Sequence, residues 1–314
     1  MTPRILVIRG GAIGDFVLTL PAIKLLRENF PAAHLEILGY KHIVSLAEGR
    51  FYAHATRCIE YAPMANFFVP NAKLAPDLVE YFGSFQQVVS YLFDPDRIFE
   101  SNVRRCGVKN FIHAPPKVGD SDRAAAQLAR PLQSLALYLD DPASTLYPAE
   151  RDREFAAQFF SGSGGTVVAL HPGSGSEKKN WPLQNWRELG CWLFALDPAP
   201  AILLVGGEAD RAMIESLSAE WSGRNFFVAQ DVLLPHLAAL LERCRLFIGH
   251  DSGISHIAAA VGTPCLLMFG PTDPQVWAPA NPHVGWLQAP QSAMESLSPD
   301  EVKKSVQKIL APQP

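Results

Sequence analysis

Short continuous apolar runs alternate along this chain with longer stretches whose apolar residues recur at three- and four-residue spacing. RILVIRG, AHLEILGY and QQVVSYLF are runs of the first kind. Between the first two lies VLTLPAIKLLRENFP, with Leu18, Ala22, Leu25 and Leu26 on one helical face and Pro31 as a stop. A continuous run bounded by turn residues reads as a buried strand, and strand–helix–strand units of this length imply a parallel, doubly wound sheet.

The pattern loosens at DDPASTLYPAERD and SGSGG, which places a domain boundary between Pro148 and Gly165, with EFAAQFF as a helix beside the hinge. The alternation then restarts. TVVALHPG, AILLVGG, RLFIGHD and PCLLMFG read as strands. WPLQNWRELGCWLFAL, EADRAMIESLSAEW, LPHLAALLERC and ISHIAAAVG read as helices, the first with Pro182 in its opening turn. Near the end, SPDEVKKSVQKIL carries Ser298, Pro299 and Glu301 in a capping-box pattern and predicts a closing helix over about 299–310. The expectation is two successive α/β domains, 1–155 and 156–314, with the closing helix packing back on the first. In such sheets ligands sit at the carboxyl ends of the strands.

A length of 314 residues suits two such domains. Hydrophobic residues at 48% against 18% charged exclude a disordered chain. The formal net charge of -4 argues against a nucleic-acid partner. Residues 1–160 hold 17 Lys and Arg against 17 Asp and Glu, and residues 161–314 hold 10 against 14. The local run RIFESNVRRCGVKN reads either as a solvated face or as a patch for an anionic acceptor. The five cysteines show no CxxC spacing, as expected of reduced thiols in a cytosolic protein. MTPRILVI lacks the pattern of a signal peptide, and no apolar stretch approaches the ~20 residues of a membrane span. Any membrane contact is therefore expected to be peripheral.

Three segments could carry chemistry. In RGGAIGDFVLTLPAIKLL, Gly11 and Gly14 supply the last two glycines of a dinucleotide fingerprint, but Arg9 occupies the first position and the fingerprint fails. Asp15 lies in the first helical turn, where stabilisation of the helix dipole is the simpler reading on spacing alone. In HPGSGSEKKNWP, residues 171–182, the loop Gly173–Ser176 with Lys178 and Lys179 precedes a helix. It reads as a phosphate site or as a flexible serine–glycine loop. In GHDSGISHIAAAVGTP, residues 249–264, a strand delivers Asp251, Ser252 and Gly253 to a helix start, with His256 one turn on. Asp251 at an anion site makes sense if it orients donors or bonds a sugar hydroxyl; the alternative is simple capping. No metal-ligand spacing is present, so no structural metal is expected.

Taken together and in this order, these segments, with LLVGGEADR and FIGHDSGISHIAAAVGTPCLLMFGPTDPQVWAP, resemble the ADP-heptose:lipopolysaccharide heptosyltransferases, the ninth glycosyltransferase family. The resemblance implies a GT-B fold, two Rossmann-like doubly wound domains facing across a cleft, the first binding the acceptor and the second the nucleotide-sugar. It implies an inverting, metal-independent transfer with no cofactor, the ADP-sugar being a substrate. Asp15 matches the family's proposed general base. Lys179, two residues before Trp181, matches its phosphate lysine. Asp251, Ser252, Gly253 and His256 match its diphosphate loop, Ser174 and Gly175 its loop after the first strand of the second domain, and Asp210 or Glu208 its ribose contact. Implied partners are ADP-heptose or a related nucleotide-sugar and a lipopolysaccharide core acceptor, met by a cytoplasmic monomer at the inner face of the inner membrane. Arg50, Arg57, Arg97, Arg104, Arg105 and Arg123 are candidate contacts to that anionic acceptor, because arginine grips carboxylate or phosphate with paired bonds. A family member with another donor or acceptor and a non-catalytic nucleotide-binding paralogue are the alternatives. Residues from about Phe51 to Asp122 match no motif.

Overall fold

Each continuous apolar run becomes a buried parallel strand. The computed structural model describes residues 2–162 and 165–311; Ser163 and Gly164 of the stretch read as a hinge lie outside them. In the first unit the strands are β1 (Arg4–Arg9), β2 (His34–Gly39), β3 (Ala55–Cys58), β4 (Gln87–Ser90) and β5 (Asn110–His113). Their order is β3-β2-β1-β4-β5, all parallel. Val7 of β1 stands between Ile37 and Val89 in register. In the second unit the strands are β6 (Val167–Leu170), β7 (Ala201–Gly206), β8 (Phe226–Gln230), β9 (Leu246–His250), β10 (Cys265–Phe269) and β11 (Val284–Gln288), in the order β11-β10-β9-β6-β7-β8. Both sheets are doubly wound, and strand order reverses between β1 and β4 in one and between β6 and β9 in the other. The crevice at such a reversal is where an α/β sheet offers loops to a ligand.

The helix Ile13–Asn29 follows β1, starts five residues ahead of the apolar period and runs through Pro21. Its buried face includes Phe16, Leu20 and Ile23. A fully buried side chain of this kind is worth ~1.5–3 kcal/mol, so the start of this helix is firmly anchored. In the second unit Trp181, Trp186 and Trp221 are fully buried in one cluster with β6, β7, β9 and β10. Pro182 sits at the N-cap of the helix Leu183–Phe194, one position ahead of its expected place.

The division into compact units falls between Pro142 and Ala143, earlier than the expected 155/156. The reason is hydrogen bonding and packing of the segment that follows. Leu146 N–H donates to Ala260 O at 2.8 Å, and Asn281 Nδ2 donates to Ser144 O at 2.9 Å. In the helix Glu150–Phe159, Phe155 stacks on His236 and Arg153 makes a two-bond pair with Glu242. The closing helix Pro299–Leu310 forms as expected, with Ser298 Oγ accepting from Glu301 N–H at 3.3 Å. Its buried Val302 and Val306 join the second unit's core.

Candidate functional site

In the first unit the polar centre is local. Asp15 is the third residue of the helix Ile13–Asn29, and its Oδ2 accepts from Ala12 N–H at 2.9 Å, capping the helix start. Gly11 has φ +98, and a Cβ there would stand 2.6 Å from Asp15 Oδ2. Both facts require glycine and bring the backbone close against the carboxylate. The Arg9 guanidinium lies beneath: Nη2 is 3.3 Å from Asp15 Oδ1, Nε donates to Asp15 O at 3.3 Å, and the cation lies over the Tyr91 ring. Burial pulls the Arg9 guanidinium down from its ordinary range, while the nearby Asp15 charge opposes that shift. The Arg9 side chain is 2% exposed and that of Asp15 34%, so only the carboxylate reaches solvent. Helix capping and outward presentation are thus properties of the same side chain. In the sequence Arg9 stands out only as the residue that breaks a fingerprint; a cation closing an apolar strand is the further signal it carries.

In the second unit three segments close on one another at the sheet reversal. Lys179 Nζ donates to Asp251 Oδ2 at 2.6 Å, and Thr272 Oγ1 donates to the same oxygen at 2.9 Å. One Asp251 oxygen thus accepts from two side-chain donors of separate segments. Lys178, by contrast, is exposed. Ser252 caps the helix Gly253–Ala260, its Oγ accepting from Ser255 N–H. Gly253 is the first residue of that helix and His256 is buried one turn in. Ser174 and Gly175 sit on the lysine loop. The Ser174 hydroxyl bonds within that loop, to Ser176 O and Asn180 Oδ1, and the space around Gly175 is open. A helix start beside an ammonium group can take up an anion, through backbone N–H groups, a hydroxyl and a charge.

Two histidines missed in the sequence hold this arrangement. His250 is fully buried; its Nε2 accepts from Trp181 N–H at 2.9 Å, so Nδ1 carries the hydrogen and donates to Gly173 O at 3.2 Å. Burial drives its pKa down to about 3, and it stays neutral. His250 thereby ties both ends of the lysine loop to β9, and Trp181 adds an indole N–H bond to Leu297 O at 2.8 Å. His171 continues β6, its N–H donating to Ile248 O, and its ring bridges Asp210 and Ser252. The signal was two histidines at the carboxyl ends of adjacent strands, His250 as the last residue of β9 and His171 as the residue after β6. Asp210, expected at a ribose, is turned inward: Oδ2 accepts from Gly207 N–H at 3.0 Å and faces His171, while Oδ1 fills the place a Cβ on Gly173 would need. Glu208, the other residue expected there, is exposed.

The arginine candidates are scattered over the first unit. Arg97 and Arg104 share Glu100, and with Arg105 and Ser101 they line an open groove of about 550 Å³. Arg57 lies over Tyr81 and faces Asp77, and Arg50 braces its own loop through Ser45 O and Glu48 O. Arg123 stands at the N-cap of the helix Ala124–Ala129. Among the described residues no group of three His, Cys, Asp or Glu side chains could hold a metal ion, and no helix is long and apolar enough to cross a membrane.

The family model for glycosyltransferase family 9 (heptosyltransferase) matches residues 114–306. Lipopolysaccharide heptosyltransferase 3 of Escherichia coli is 25% identical over 286 residues, covering 85% of this chain and 83% of that protein. Among solved structures, a family 9 glycosyl transferase from Veillonella parvula superposes with a TM-score of 0.82 at 18% identity, covering 98% and 97% of the two chains. The ADP-heptose lps heptosyltransferase II of E. coli gives 0.77 at 16% identity, covering 98% of each. These likenesses show the expected GT-B fold of two Rossmann-like domains.

Proposed function

We propose that this chain, which belongs to glycosyltransferase family 9 (heptosyltransferase), transfers a heptose from ADP-heptose to a lipopolysaccharide core acceptor, with inversion and without a metal. The observation that carries this is the polar cluster of the second unit, where Asp251 holds Lys179 Nζ at 2.6 Å beside the start of the helix Gly253–Ala260. Similarity to a lipopolysaccharide heptosyltransferase and to an ADP-heptose lps heptosyltransferase supports this choice of donor and acceptor class.

In this reading the acceptor hydroxyl gives its proton to Asp15 as its oxygen bonds to the anomeric carbon. The bond from that carbon to the ADP oxygen breaks, and ADP leaves with the electron pair. Lys179, the Ser252 hydroxyl and the N–H groups at Gly253 and beyond take up the charge that develops on the leaving group. A general base contributes ~10²–10⁴-fold, and stabilisation of the leaving charge by preset donors at least as much. Lysine and a helix start suffice for that charge, so the reading invokes no metal and no cofactor. Glu208, exposed where Asp210 is not, takes the ribose hydroxyls. The same reading places a monomer in the cytoplasm, meeting its acceptor at the inner face of the inner membrane.

Thermal melts with a panel of nucleotide-sugars rank the donors, because a ligand at about 100 times its Kd adds ~2.7 kcal/mol. ADP-heptose should stabilise most and release ADP only when acceptor is added. A larger shift with another sugar nucleotide would reassign the donor. ADP binding without release to any acceptor would make the chain a binding protein.

A further inference from the structure

We infer that Asp210 and His171 are positioning residues that set the direction of the Ser252 hydroxyl hydrogen, so that a nucleoside diphosphate binds at Ser252 together with a proton taken up by His171. The inference rests on the reading of the second unit as the nucleotide site. It starts from a buried chain of three groups. Asp210 Oδ2 lies 3.4 Å from His171 Nε2, and His171 Nδ1 lies 3.3 Å from Ser252 Oγ. His171 is 3% and Asp210 7% exposed. The backbone is shaped around them, since a Cβ on Gly173 would come within 1.6 Å of Asp210 Oδ1.

The hydrogens follow from the partners. Burial alone would raise the Asp210 carboxyl, but the bonds from His171 and Gly207 N–H carry it below its ordinary value, and it is a carboxylate. A carboxylate only accepts, so His171 Nε2 carries a hydrogen. In the neutral ring Nδ1 is then an acceptor, and the Ser252 hydroxyl is drawn inward to donate to it. A phosphate oxygen would meet only the lone pairs of Ser252. In the charged ring Nδ1–H donates to Ser252 Oγ, and the hydroxyl hydrogen is released from the ring, to Ser255 Oγ 3.1 Å away or outward to a phosphate. Ser255 cannot substitute, because its own hydroxyl hydrogen is committed to His250 O. A diphosphate thus selects the charged ring, by hydrogen-bond direction and by charge.

The other titratable groups around the ring are already committed. His250 is locked neutral between Gly173 and Trp181. Asp251 is held by Lys179 and Thr272. Asp210 supplies the charge that balances the added proton.

The test is calorimetric titration of ADP into the full chain at about pH 7.5–8.5, in pairs of buffers with different ionisation heats. ADP's terminal phosphate, with a second pKa of about 6, no longer titrates in that range. The wild type should take up as much as one proton per ADP, with Kd rising by as much as about tenfold per pH unit, because raising pH removes the form that binds. His171→Gln, which cannot gain a proton, should lose both the buffer dependence and the slope. Asp210→Asn, which removes the balancing charge, should flatten both as well. A structural role alone would lower the melting temperature of these variants and leave the proton count unchanged. Buffer-independent heats in the wild type, or uptake that survives His171→Gln and so belongs to another group such as His256, would overturn the inference while leaving the nucleotide site intact. A wild type that does not bind ADP at all would overturn that reading, and the inference with it.

Discussion

The two units share a strand order around a central β1 or β6, and in both the chain leaves that strand through a glycine turn, yet the polar centres they build differ in kind. In the first unit Arg9, Gly11, Ala12 and Asp15 lie within one turn of chain, and a single carboxylate comes out of it. In the second unit His171, Lys179, Asp210, His250, Asp251, Ser252 and Thr272 come from separate segments and are joined by hydrogen bonds. The difference follows from the tasks proposed for them. A base needs one acceptor aimed outward, which a helix start can hold by itself. An anion site needs several donors held together against their own repulsion and desolvation, which takes buried partners from more than one strand. Damage should accordingly stay confined in the first unit and spread in the second.

The largest expected effect tests the confined side. Asp15→Asn keeps an oxygen to accept from Ala12 N–H, so the helix start survives, but the base is lost. Transfer should fall at least ~10²-fold, and the melting temperature should drop as well because the buried Arg9 loses its counter-charge. Near-normal turnover would leave Asp15 as a capping residue only.

The spreading side is tested by His250→Ala. It strands the buried Trp181 N–H and Gly173 C=O, at ~1–3 kcal/mol for each group. Loss of stability and of ADP affinity together is the expected result in melts and titrations. Loss of neither would mean the lysine loop holds its shape without β9.

Lys179→Ala should weaken donor binding and turnover by ~1.5–3 kcal/mol, about 10- to 100-fold, while Lys178→Ala, exposed and unpaired with Asp251, does far less. Equal mild effects in steady-state kinetics would reduce the loop to a generally basic rim. The smallest effect is expected from Arg97→Ala and Arg104→Ala. If their groove meets an anionic acceptor, acceptor KM should rise a few-fold, ~0.5–1 kcal/mol at an exposed site, and added salt should blunt the difference. Unchanged KM for both would leave these arginines as partners of Glu100 alone.

How much of this was legible follows the burial of each element. β1, β2, β4, β6, β7, β9 and β10 are central or nearly so, covered on both faces, and written as unbroken apolar runs. The strands that no run announced, β3, β5, β8 and β11, are the four sheet edges. Ala55–Cys58 is half-buried throughout and Val284–Gln288 is largely exposed, so packing demands little of their side chains. The site shows the same divide. Lys179, Asp251 and Ser252 were legible because they sit at strand-to-helix turns with a glycine or a capping residue beside them. His171 and His250 were not, because their roles come from partners 39 and 69 residues away, Asp210 and Trp181. The bonds that tie Ser144 and Leu146 to the second unit were hidden for a related reason: a loop-like composition says nothing about which core the loop is bonded to.

The most direct test of this division of labour is the ADP affinity of Asp15→Asn and Lys179→Ala, measured side by side by calorimetry. Asp15→Asn should bind ADP within a few-fold of wild type while Lys179→Ala loses about ten-fold or more. Loss of ADP affinity in Asp15→Asn as large as in Lys179→Ala would contradict that division, because the carboxylate of the first unit would then be part of the nucleotide site.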